Sequence, residues 1–396
     1  MGTSLYLLPI LYLLLLLVTV PVDATGTSDD TTEIVSAAVD NDGKNERIHI
    51  AIVSCGASRA FEALASMRSA LLMTQHPLSF HIFHNVGDGN DIYFTKALSR
   101  WQQQQQQQKL QQVVPPEAAQ SAFDFFLYKS NLSDEYATLF APCACQRLFL
   151  HESLPESVER VLYVDSDTLF LADVGILWKE FETALQRPMS NILAALVPEH
   201  QATSKSAYYR DQTNHPYYHD DNSVGLNSGV LLLNLKQLRA HPWNEILTDY
   251  LHHENYTLQY YDQDLLNIYF HFHPDELLVL SCDWNFRTDH CFFTNQHCST
   301  ISIMHGSRGT FHTPTTPTSE RFSVHTFQTL HRAFSLFPVT ELGSVQAVRD
   351  AWLWLASTDK IANHCDLLLP SIVTRILTEA AVAARKPRLE NSEDEL

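Results

Sequence analysis

Two aspartates lie between two apolar runs in the segment RVLYVDSDTLFL, Arg160 to Leu171. In an extended strand, residues i and i+2 point to the same face, so Asp165 and Asp167 are expected to project together while Ser166 points away. Neighbouring carboxylates repel each other and require a cation or a proton. Mg²⁺ and Mn²⁺ prefer oxygen ligands and are commonly shared with a substrate diphosphate. The alternative is a turn or cap role for one aspartate, because Asp is frequent where strands end.

The position of the aspartate pair favours the metal interpretation. The run RVLYV brings the pair to the end of a strand, and ligands in open α/β sheets bind beyond the carboxyl ends of the strands. A metal ion held there would neutralise the charge that builds on a leaving diphosphate. We therefore predict a divalent-metal site that also binds a phosphate-bearing ligand.

Three further polar clusters lie where a strand or helix is expected to begin or end. They are Asn227-Ser228-Gly229 in GLNSGVLLLNL, Asp262-Gln263-Asp264 in YYDQDLLNIYF, and His305-Gly306-Ser307-Arg308 in ISIMHGSRG. The first predicts a turn of small residues before a strand, which either admits a ligand close to the backbone or is a simple turn. In the second, the first acid suits a helix N-cap, but the other acid and the amide exceed what capping requires. In the third, the histidine is either structural or a metal ligand beside a phosphate contact.

The elements that would position these side chains alternate between strands and helices. The β-branched run IHIAIVSCG is followed by a segment with helical spacing and then by LSFHIFHN, which predicts a βαβ unit and a parallel pair of strands. Further strands are predicted in FDFFLYK, NILAALVPEH, GVLLLNL and ISIMH, and EYATLFAPCACQRLFLHESL is predicted to be rich in helix. We expect an α/β fold with a mixed or parallel sheet, followed by a helical C-terminal region.

Shifts in composition divide the chain of 396 residues into segments. The predicted segments are an apolar signal peptide or signal-anchor (1–23), a flexible polar stem (24–46), a folded domain (47–340) with a glutamine-rich insertion (97–121), and a helical extension with an acidic tail (341–396). Lys and Arg are absent before Lys44, so the positive-inside rule gives no orientation to the apolar run.

The net charge excludes some partners, and several sequence signals indicate a cellular compartment. A formal net charge of −19 gives no broad attraction to nucleic acid, and contact with a membrane is expected only through the N-terminal segment. The apolar leader, the sequons at Asn131 and Asn255 and the C-terminal SEDEL indicate the lumen of the endoplasmic reticulum or Golgi. The protein is either a single-pass type II membrane protein or a soluble luminal protein retained by its tail. Seven cysteines there predict some disulfides and at least one free thiol.

Taken together and in this order, the motifs resemble glycosyltransferase family 8, whose members are retaining, nucleotide-sugar-dependent enzymes of the glycosyltransferase-A fold. The likeness is greatest to the glucoside xylosyltransferases. The stretches that carry it are HIAIVSCG, PCACQRLFL, LYVDSDTLFL, HPYY, GLNSGVLLLNL, DQDLLNI, CDWNFRTDHC and HGSRGTFH, within residues 49 to 312. The resemblance makes residues 47–340 a catalytic domain that transfers xylose from UDP-xylose, in α1,3 linkage, to O-linked glucose on EGF-like repeats of Notch-type proteins.

The resemblance also implies a role for each candidate residue. It implies Mn²⁺, with Mg²⁺ as the alternative, on Asp165, Asp167 and His305. It implies donor binding by Ala51, Val53, Cys55, Arg147, Asn227, Ser228, Asp262, Gly306 and Arg308, and it places Gln263 at the reacting face of the sugar. Retention without an evident nucleophile favours front-face attack, with a covalent intermediate on Asp262 or Asp264 as the minority alternative. The candidate acceptor region is Trp284, Asn285, Arg287 and Asp289.

One departure from the family pattern concerns the phosphate groups. Many members continue the last motif as HxxGxxKPW, whose lysine contacts the diphosphate, but HGSRGTFH contains no lysine. Arg308 is the first candidate replacement, because a guanidinium suits phosphate, and His312 is the second.

Other functions remain open at the level of sequence. Within the family, the alternatives are a xyloside xylosyltransferase or a transferase that uses another UDP-hexose. From another class, the alternative is a luminal protein that binds a nucleotide sugar or glycan without turnover. A glycoside hydrolase fits poorly, because Asp165 and Asp167 lie too close along the chain to flank a glycosidic bond.

Overall fold

The computed structural model describes residues 46–74, 76–85, 87, 89–110, 123–137, 139, 143–201, 215–221, 223–292, 298–312 and 324–336, with isolated positions between 365 and 378. All of them belong to one compact unit, Asn45–Leu396. The predicted leader, nearly all of the stem and most of the C-terminal extension lie outside these residues. Among the helices in the described ranges, none is long and apolar enough to cross a membrane.

A seven-stranded mixed sheet forms the centre of the fold. Its strands are β1 (Ile48–Val53), β2 (Leu78–His84), β3 (Phe123–Lys129), β4 (Arg160–Asp165), β6 (Ala194–Gln201), β7 (Ser223–Asn234) and β8 (Leu277–Val279), in the order β3-β2-β1-β4-β7-β6-β8. The first four of that order are parallel, whereas β7 runs antiparallel to both β4 and β6. The predicted α/β fold with a mixed sheet is confirmed.

A second, two-stranded sheet lies at the end of β4. It pairs β5 (Thr168–Phe170) with β9 (Ile303–His305) in antiparallel register, with Thr168 opposite His305. The sequence analysis predicted β9 but not β8, and it did not separate β5 from β4, because both lie in the one apolar segment RVLYVDSDTLFL.

Helices cover the sheet. They are α1 (Ala57–Met73), α2 (Asn90–Leu110), α3 (Asp134–Ala137), α4 (Leu150–Ser153), α5 (Val174–Leu185), α6 (Leu235–Ala240), α7 (Trp243–Leu251), α8 (Asp262–Phe272), α9 (Asp289–Phe292) and α10 (His325–Leu336). Short 3₁₀ turns span Ala144–Phe149, Pro274–Glu276, Cys282–Asn285 and Ser307–Gly309. The prediction that a helix begins at Asp262 is confirmed.

The apolar core has one layer on each face of the main sheet. On one face, strand residues such as Ile50 and Leu162 pack against α1, α2 and α5, which contributes Phe181. On the other face, strand residues such as Tyr163 pack against α6, α7 and α8, which contribute Trp243 and Tyr269. A third cluster lies between β5, β9 and α10. Burial on both faces explains why the strands are nearly continuous hydrophobic runs.

Two sequence expectations differ from the structure. Asn227, Ser228 and Gly229 do not form a turn before a strand; they lie inside β7, where its register against β6 jumps from Leu196↔Leu231 to Val197↔Asn227. Such a bulge bends a strand and redirects its side chains, and it resembles a turn in composition. The first part of the predicted glutamine-rich insertion continues α2 through Leu110, and the rest of it lies outside the described residues.

Six of the seven cysteines form disulfides, Cys55–Cys143, Cys282–Cys298 and Cys291–Cys365. The seventh, Cys145, is a buried free thiol, so the prediction of several disulfides and a leftover thiol is confirmed. The first of these bonds joins the end of β1 to the start of the 3₁₀ turn Ala144–Phe149. It therefore connects two segments that border the candidate site.

Candidate functional site

The small β5–β9 sheet brings the two aspartates and His305 together. β4 ends at Asp165, and the chain turns through Ser166 and Asp167 before β5 begins. The carbonyl of Asp167 accepts the N–H of Gly306 at 2.7 Å, while the Thr168 hydroxyl donates to the carbonyl of Asp165 at 2.9 Å. The two carboxylates therefore lie close together because the segment at β9 holds this turn in place. They do not lie on one face of a continuous strand, as the sequence analysis expected.

The three side chains have the geometry of a cation site. Nε2 of His305 lies 3.5 Å from Oδ2 of Asp165 and 3.5 Å from Oδ1 of Asp167, and the candidate ligand atoms all lie within 4.8 Å of one another. Burial disfavours ionisation of Asp167, but the hydrogen bond and charge of His305, together with Arg59, lower the pKa of Asp167 to about 2. Asp167 is therefore a carboxylate at neutral pH, as a metal ligand must be.

Hydrogen bonds on the side of His305 away from the aspartates determine which of its ring nitrogens can offer a lone pair toward them. Nδ2 of Asn285 donates to Oδ1 of Asn227 at 2.7 Å, which leaves Oδ1 of Asn285 as an acceptor 2.8 Å from Nδ1 of His305. Nδ1 must then carry a proton, so it is Nε2 that can give up its proton and offer a lone pair to a cation bound beside the carboxylates. The residues present fit a divalent cation bound by two carboxylates and one imidazole.

Gly229 is required by the close approach of His305 to β7. A Cβ at this position would lie 2.2 Å from Cε1 and 2.6 Å from Nδ1 of His305. We expect Gly229→Ala to push the imidazole away from Asn285, to cost about 1–3 kcal/mol of unfolding free energy through overpacking, and to weaken binding of Mn²⁺ measured by titration calorimetry.

A matched control separates the site effect from general destabilisation. Gly175→Ala in α5 would place a methyl group 2.5 Å from the ring of His76, away from the cleft. It should leave Mn²⁺ affinity unchanged, whatever its effect on the melting temperature. Unchanged Mn²⁺ affinity in Gly229→Ala would contradict the close-approach argument.

Arg147 is the buried cation of the site. Its guanidinium lies 3.1 Å from Oδ1 of Asp165 and 3.0 Å from Oδ2 of Asp262, and it donates to the carbonyl and hydroxyl of Ser228 at 2.8 and 3.0 Å. It also lies over the ring of Tyr163, 4.7 Å from the centroid. Burial, the largest effect, raises the pKa of Asp262, and the charge of Arg147 opposes that rise. Asp165, Asp167 and His305 are called the metal-type triad below. Arg147 therefore links this triad to the cluster at the start of α8.

The amide of Gln263 is held by β7. Its Oε1 accepts the backbone N–H of Ser228 at 3.0 Å and Nδ2 of Asn227 at 3.1 Å. The same Asn227 nitrogen donates to Glu199 at 2.6 Å, and Glu199 forms a buried ion pair with Arg287. The bulge in β7 thus fixes the Gln263 side chain at the cleft.

The two acids at the start of α8 have different environments. Asp262 lines the cleft, whereas Asp264 is fully buried and is not among the described residues that line it. Oδ2 of Asp264 accepts the N–H groups of Gln259 and Tyr260, both at 2.7 Å, and Oδ1 lies 3.1 Å from Nε2 of His215. Asp264 therefore stabilises the loop that precedes α8.

These groups border one cleft of about 400 Å³ at the carboxyl ends of β1 and β4. The predicted residues that line it are Val53, Cys55, Arg147, Asp165, Asp167, Asn227, Ser228, Asp262, Gln263, His305 and Arg308. Ala51 is fully buried beneath it, and Gly306 is also buried, with its N–H bonded to Asp167. Arg308 forms an ion pair with Asp289, and His312 lies 2.6 Å from Glu62.

The four candidate acceptor residues are buried. Trp284 packs in the core, Asn285 supports His305, Arg287 pairs with Glu199, and Asp289 pairs with Arg308. Contact with an acceptor stays a prediction for this region.

Several described residues at the cleft were missed by the sequence analysis. The lining also includes Arg59, Ala144, Tyr163 and Tyr260, and Glu199 supports it from below. Ser307 was named in a polar cluster without a role, and Ser166, which was expected to point away, also lines the cleft. Asp165 was identified because ligands bind beyond the carboxyl ends of the strands. That rule could also have found Arg59, which lies in the first turn of the helix after β1. No local pattern marked Glu199 or Tyr260, which reach the site from loops and a distant strand.

Relatives of known name match most of the chain. Mouse (Mus musculus) glucoside xylosyltransferase 2 is 35% identical over 311 residues, which are 74% of this chain and 62% of that protein. Human (Homo sapiens) glucoside xylosyltransferase 1 is 34% identical over 287 residues, 67% of this chain and 59% of that protein. This chain therefore spans about 60% of the length of these curated relatives.

A solved structure has a similar fold. The apo form of glycosyltransferase GlyE from Streptococcus pneumoniae TIGR4 superposes with a TM-score of 0.51 over 81% of this chain and 66% of that chain, at 16% identity. At that identity the likeness concerns the fold alone, and it supports the glycosyltransferase-A type for the mixed sheet. Residues 50–305 match the model of the family described as Glycosyl transferase family 8. With that match across most of the folded region, and with these relatives, the chain belongs to glycosyl transferase family 8.

Proposed function

We propose that this chain is a retaining xylosyltransferase that moves xylose from UDP-xylose, in α1,3 linkage, to O-linked glucose on EGF-like repeats of Notch-type proteins. The observation that carries the proposal is the convergence of Asp165, Asp167 and His305 with Asp262 and Gln263 in one cleft. The identity to two glucoside xylosyltransferases supports xylose as the transferred sugar and a glucoside as the acceptor.

The cleft has separate regions for the parts of the donor. The uridine would lie against the end of β1, where Val53 and Cys55 line the cleft. The diphosphate would lie beside the triad, and the xylose hydroxyls would meet Asn227, Ser228 and Asp262. Arg147 contacts Asp165 in the diphosphate region and Asp262 and Ser228 in the sugar region. It therefore fixes the positions of these two regions relative to each other.

Departure of UDP requires stabilisation of negative charge. A Mn²⁺ or Mg²⁺ ion held by Asp165, Asp167 and His305 would neutralise charge on the departing diphosphate. The protein's part is to keep the ligand atoms in place through the Asn227–Asn285–His305 hydrogen bonds. Preorganised contacts of this kind cost no reorganisation during the reaction.

The environment of the acids favours front-face attack. Among the described residues that line the cleft, the carboxylates are Asp165, Asp167 and Asp262. The first two are the proposed metal ligands, and Asp262 is paired with Arg147 at 3.0 Å, so none is well placed as a nucleophile. The acceptor hydroxyl would attack from the side on which the diphosphate leaves, and its proton would pass to the leaving phosphate. Oε1 of Gln263 would stabilise positive charge on the sugar, because an amide oxygen is polar but weakly nucleophilic.

We also propose that the protein acts in the lumen of the secretory pathway. Three disulfides among the described residues suit an oxidising compartment. The asparagines of both sequons, Asn131 and Asn255, are exposed and accessible to glycosylation. Residues 1–23 would be the type II anchor or a cleaved signal, and the SEDEL tail would serve retrieval to the endoplasmic reticulum.

A transfer assay tests the proposed function. The full chain, purified from a eukaryotic host, is incubated with Mn²⁺, UDP-xylose and an O-glucosylated EGF repeat, and the product is measured by mass spectrometry and NMR. We expect a pentose mass increment in α linkage, abolished by EDTA and restored by added Mn²⁺.

Parallel reactions identify the alternatives. Transfer from another UDP-sugar, without transfer from UDP-xylose, would contradict the donor assignment. Transfer only to an acceptor that already carries xylose would indicate a xyloside xylosyltransferase. Binding of UDP without any transfer would favour a non-catalytic binding protein.

A further inference from the structure

The cations at the cleft differ in how exposed they are and in which acids they contact. The described cleft-lining residues include three arginines, Arg59, Arg147 and Arg308. The side chain of Arg147 is only 9% exposed and lies between two aspartates. Its charge is therefore balanced within the protein.

Arg308 is held by a buried acid. Its guanidinium forms an ion pair with Asp289, whose side chain is 6% exposed. Removing the partner of a buried carboxylate is costly, because the charge left behind is neither solvated nor paired. Arg308 itself has a left-handed backbone conformation, with φ at 61°. A phosphate that drew Arg308 away would leave Asp289 without this partner.

Arg59 lies beside the metal-type triad and is somewhat more exposed than Arg308, whose side chain is 38% exposed. Its side chain is 45% exposed, and its Nη1 lies 3.6 Å from Oδ2 of Asp167. The other oxygen of Asp167 faces His305 at 3.5 Å. The guanidinium of Arg59 therefore borders the place where a cation and a diphosphate would meet.

Like Arg308, Arg59 is paired with a buried acid, but in this pose it already borders Asp167 and need not leave that acid to meet a phosphate. Glu62, one turn further along α1, has a side chain 3% exposed, and its Oε2 lies 2.7 Å from Nη1 of Arg59. Its Oε1 lies 2.6 Å from Nε2 of His312. The ion pairs of Arg59 with Glu62 and Asp167 both use Nη1, and the other N–H groups of the planar guanidinium have the geometry that suits phosphate oxygens.

We infer that Arg59 contacts the phosphate groups of the donor, in place of the lysine that HGSRGTFH lacks. This inference rests on the proposed function and assigns the diphosphate contact to the helix after β1 rather than to Arg308. Glu62 is then a positioning residue, because it holds the guanidinium and touches no substrate.

The test compares ligands with and without phosphate. Arg59→Met, Arg59→Lys and the exposed control Arg187→Met are titrated with UDP and with uridine in Mn²⁺ buffer, after circular dichroism confirms folding. We expect Arg59→Met to bind UDP roughly 10- to 100-fold more weakly, the range for a lost charged hydrogen bond, with uridine affinity unchanged. Arg59→Lys should recover part of the loss, and Arg187→Met should match the wild type.

The outcomes separate this inference from the proposed function. Equal UDP affinity in Arg59→Met, or an equal loss for uridine and UDP, would overturn the phosphate contact while leaving the transferase intact. A wild-type chain that binds no UDP would overturn the proposed function and this assignment with it.

Discussion

Asp167→Asn is expected to lower the rate of sugar transfer by a factor on the order of 10³ and to leave the fold intact. Asn has the size of Asp, but it removes the charge beside His305 and Arg59. Charge stabilisation by a bound metal is worth several kcal/mol, and about 4 kcal/mol corresponds to that factor. The backbone carbonyl that accepts from Gly306 is unchanged, so the turn should persist.

The measurements are initial transfer rate, Mn²⁺ affinity and melting temperature. Asp249→Asn, an exposed substitution on α7, is the matched control and should change none of them. Full activity in Asp167→Asn would remove this residue from the metal site. A large drop in melting temperature would show instead that its role is structural.

Arg147→Met is expected to lower the free energy of unfolding by about 3–5 kcal/mol, the range for removing one partner of a buried ion pair. The variant leaves Asp165 and Asp262 without the guanidinium that lies 3.1 and 3.0 Å from them. It also removes two hydrogen bonds to Ser228, so transfer should be lost as well. Denaturant unfolding of wild type and variant, in buffer without divalent cations, measures the change in the free energy of unfolding.

The loss in Arg147→Met should depend on pH with a definite sign. Burial already raises the pKa of Asp262, and Arg147 opposes the rise, so the variant raises it further. A carboxyl with a raised pKa in the folded state contributes fully below its unfolded pKa and loses that contribution as pH rises through the folded pKa. The difference between wild type and variant should therefore be larger at about pH 7.5 than at about pH 4.5.

Arg68→Met is the control for that pH dependence. Arg68 donates to the backbone carbonyls of Phe334 and Ser335, which do not titrate. Its stability loss should be nearly equal at the two pH values. A pH-independent loss in Arg147→Met would contradict the proposed coupling to Asp262.

The features that the sequence predicted and the structure contains are those whose signal is local. An apolar run ending in two acids predicted both the strand β4 and the group at its end, because burial on both faces requires a continuous hydrophobic strand. The start of α8 at Asp262 was also local, since acids and amides favour the first turn of a helix. The ordered motifs were specific enough to indicate the family.

The roles within the site depended on tertiary contacts. Asp262 and Asp264 are equivalent in sequence, yet one faces Arg147 in the cleft and the other binds backbone N–H groups. Likewise, the register of β9 against β5 brings His305 to the aspartates from 138 residues away, and Asn285 then selects its tautomer.

For this chain, the sequence by itself determined the longer strands of the main sheet, the start of α8 and the chemical types of the residues at the strand ends, because these follow from local patterns of burial and capping. Only the tertiary structure decided which acids face the cleft and which arginine lies beside Asp167. Those properties depend on strand order, register and the partners that distant segments bring to each side chain.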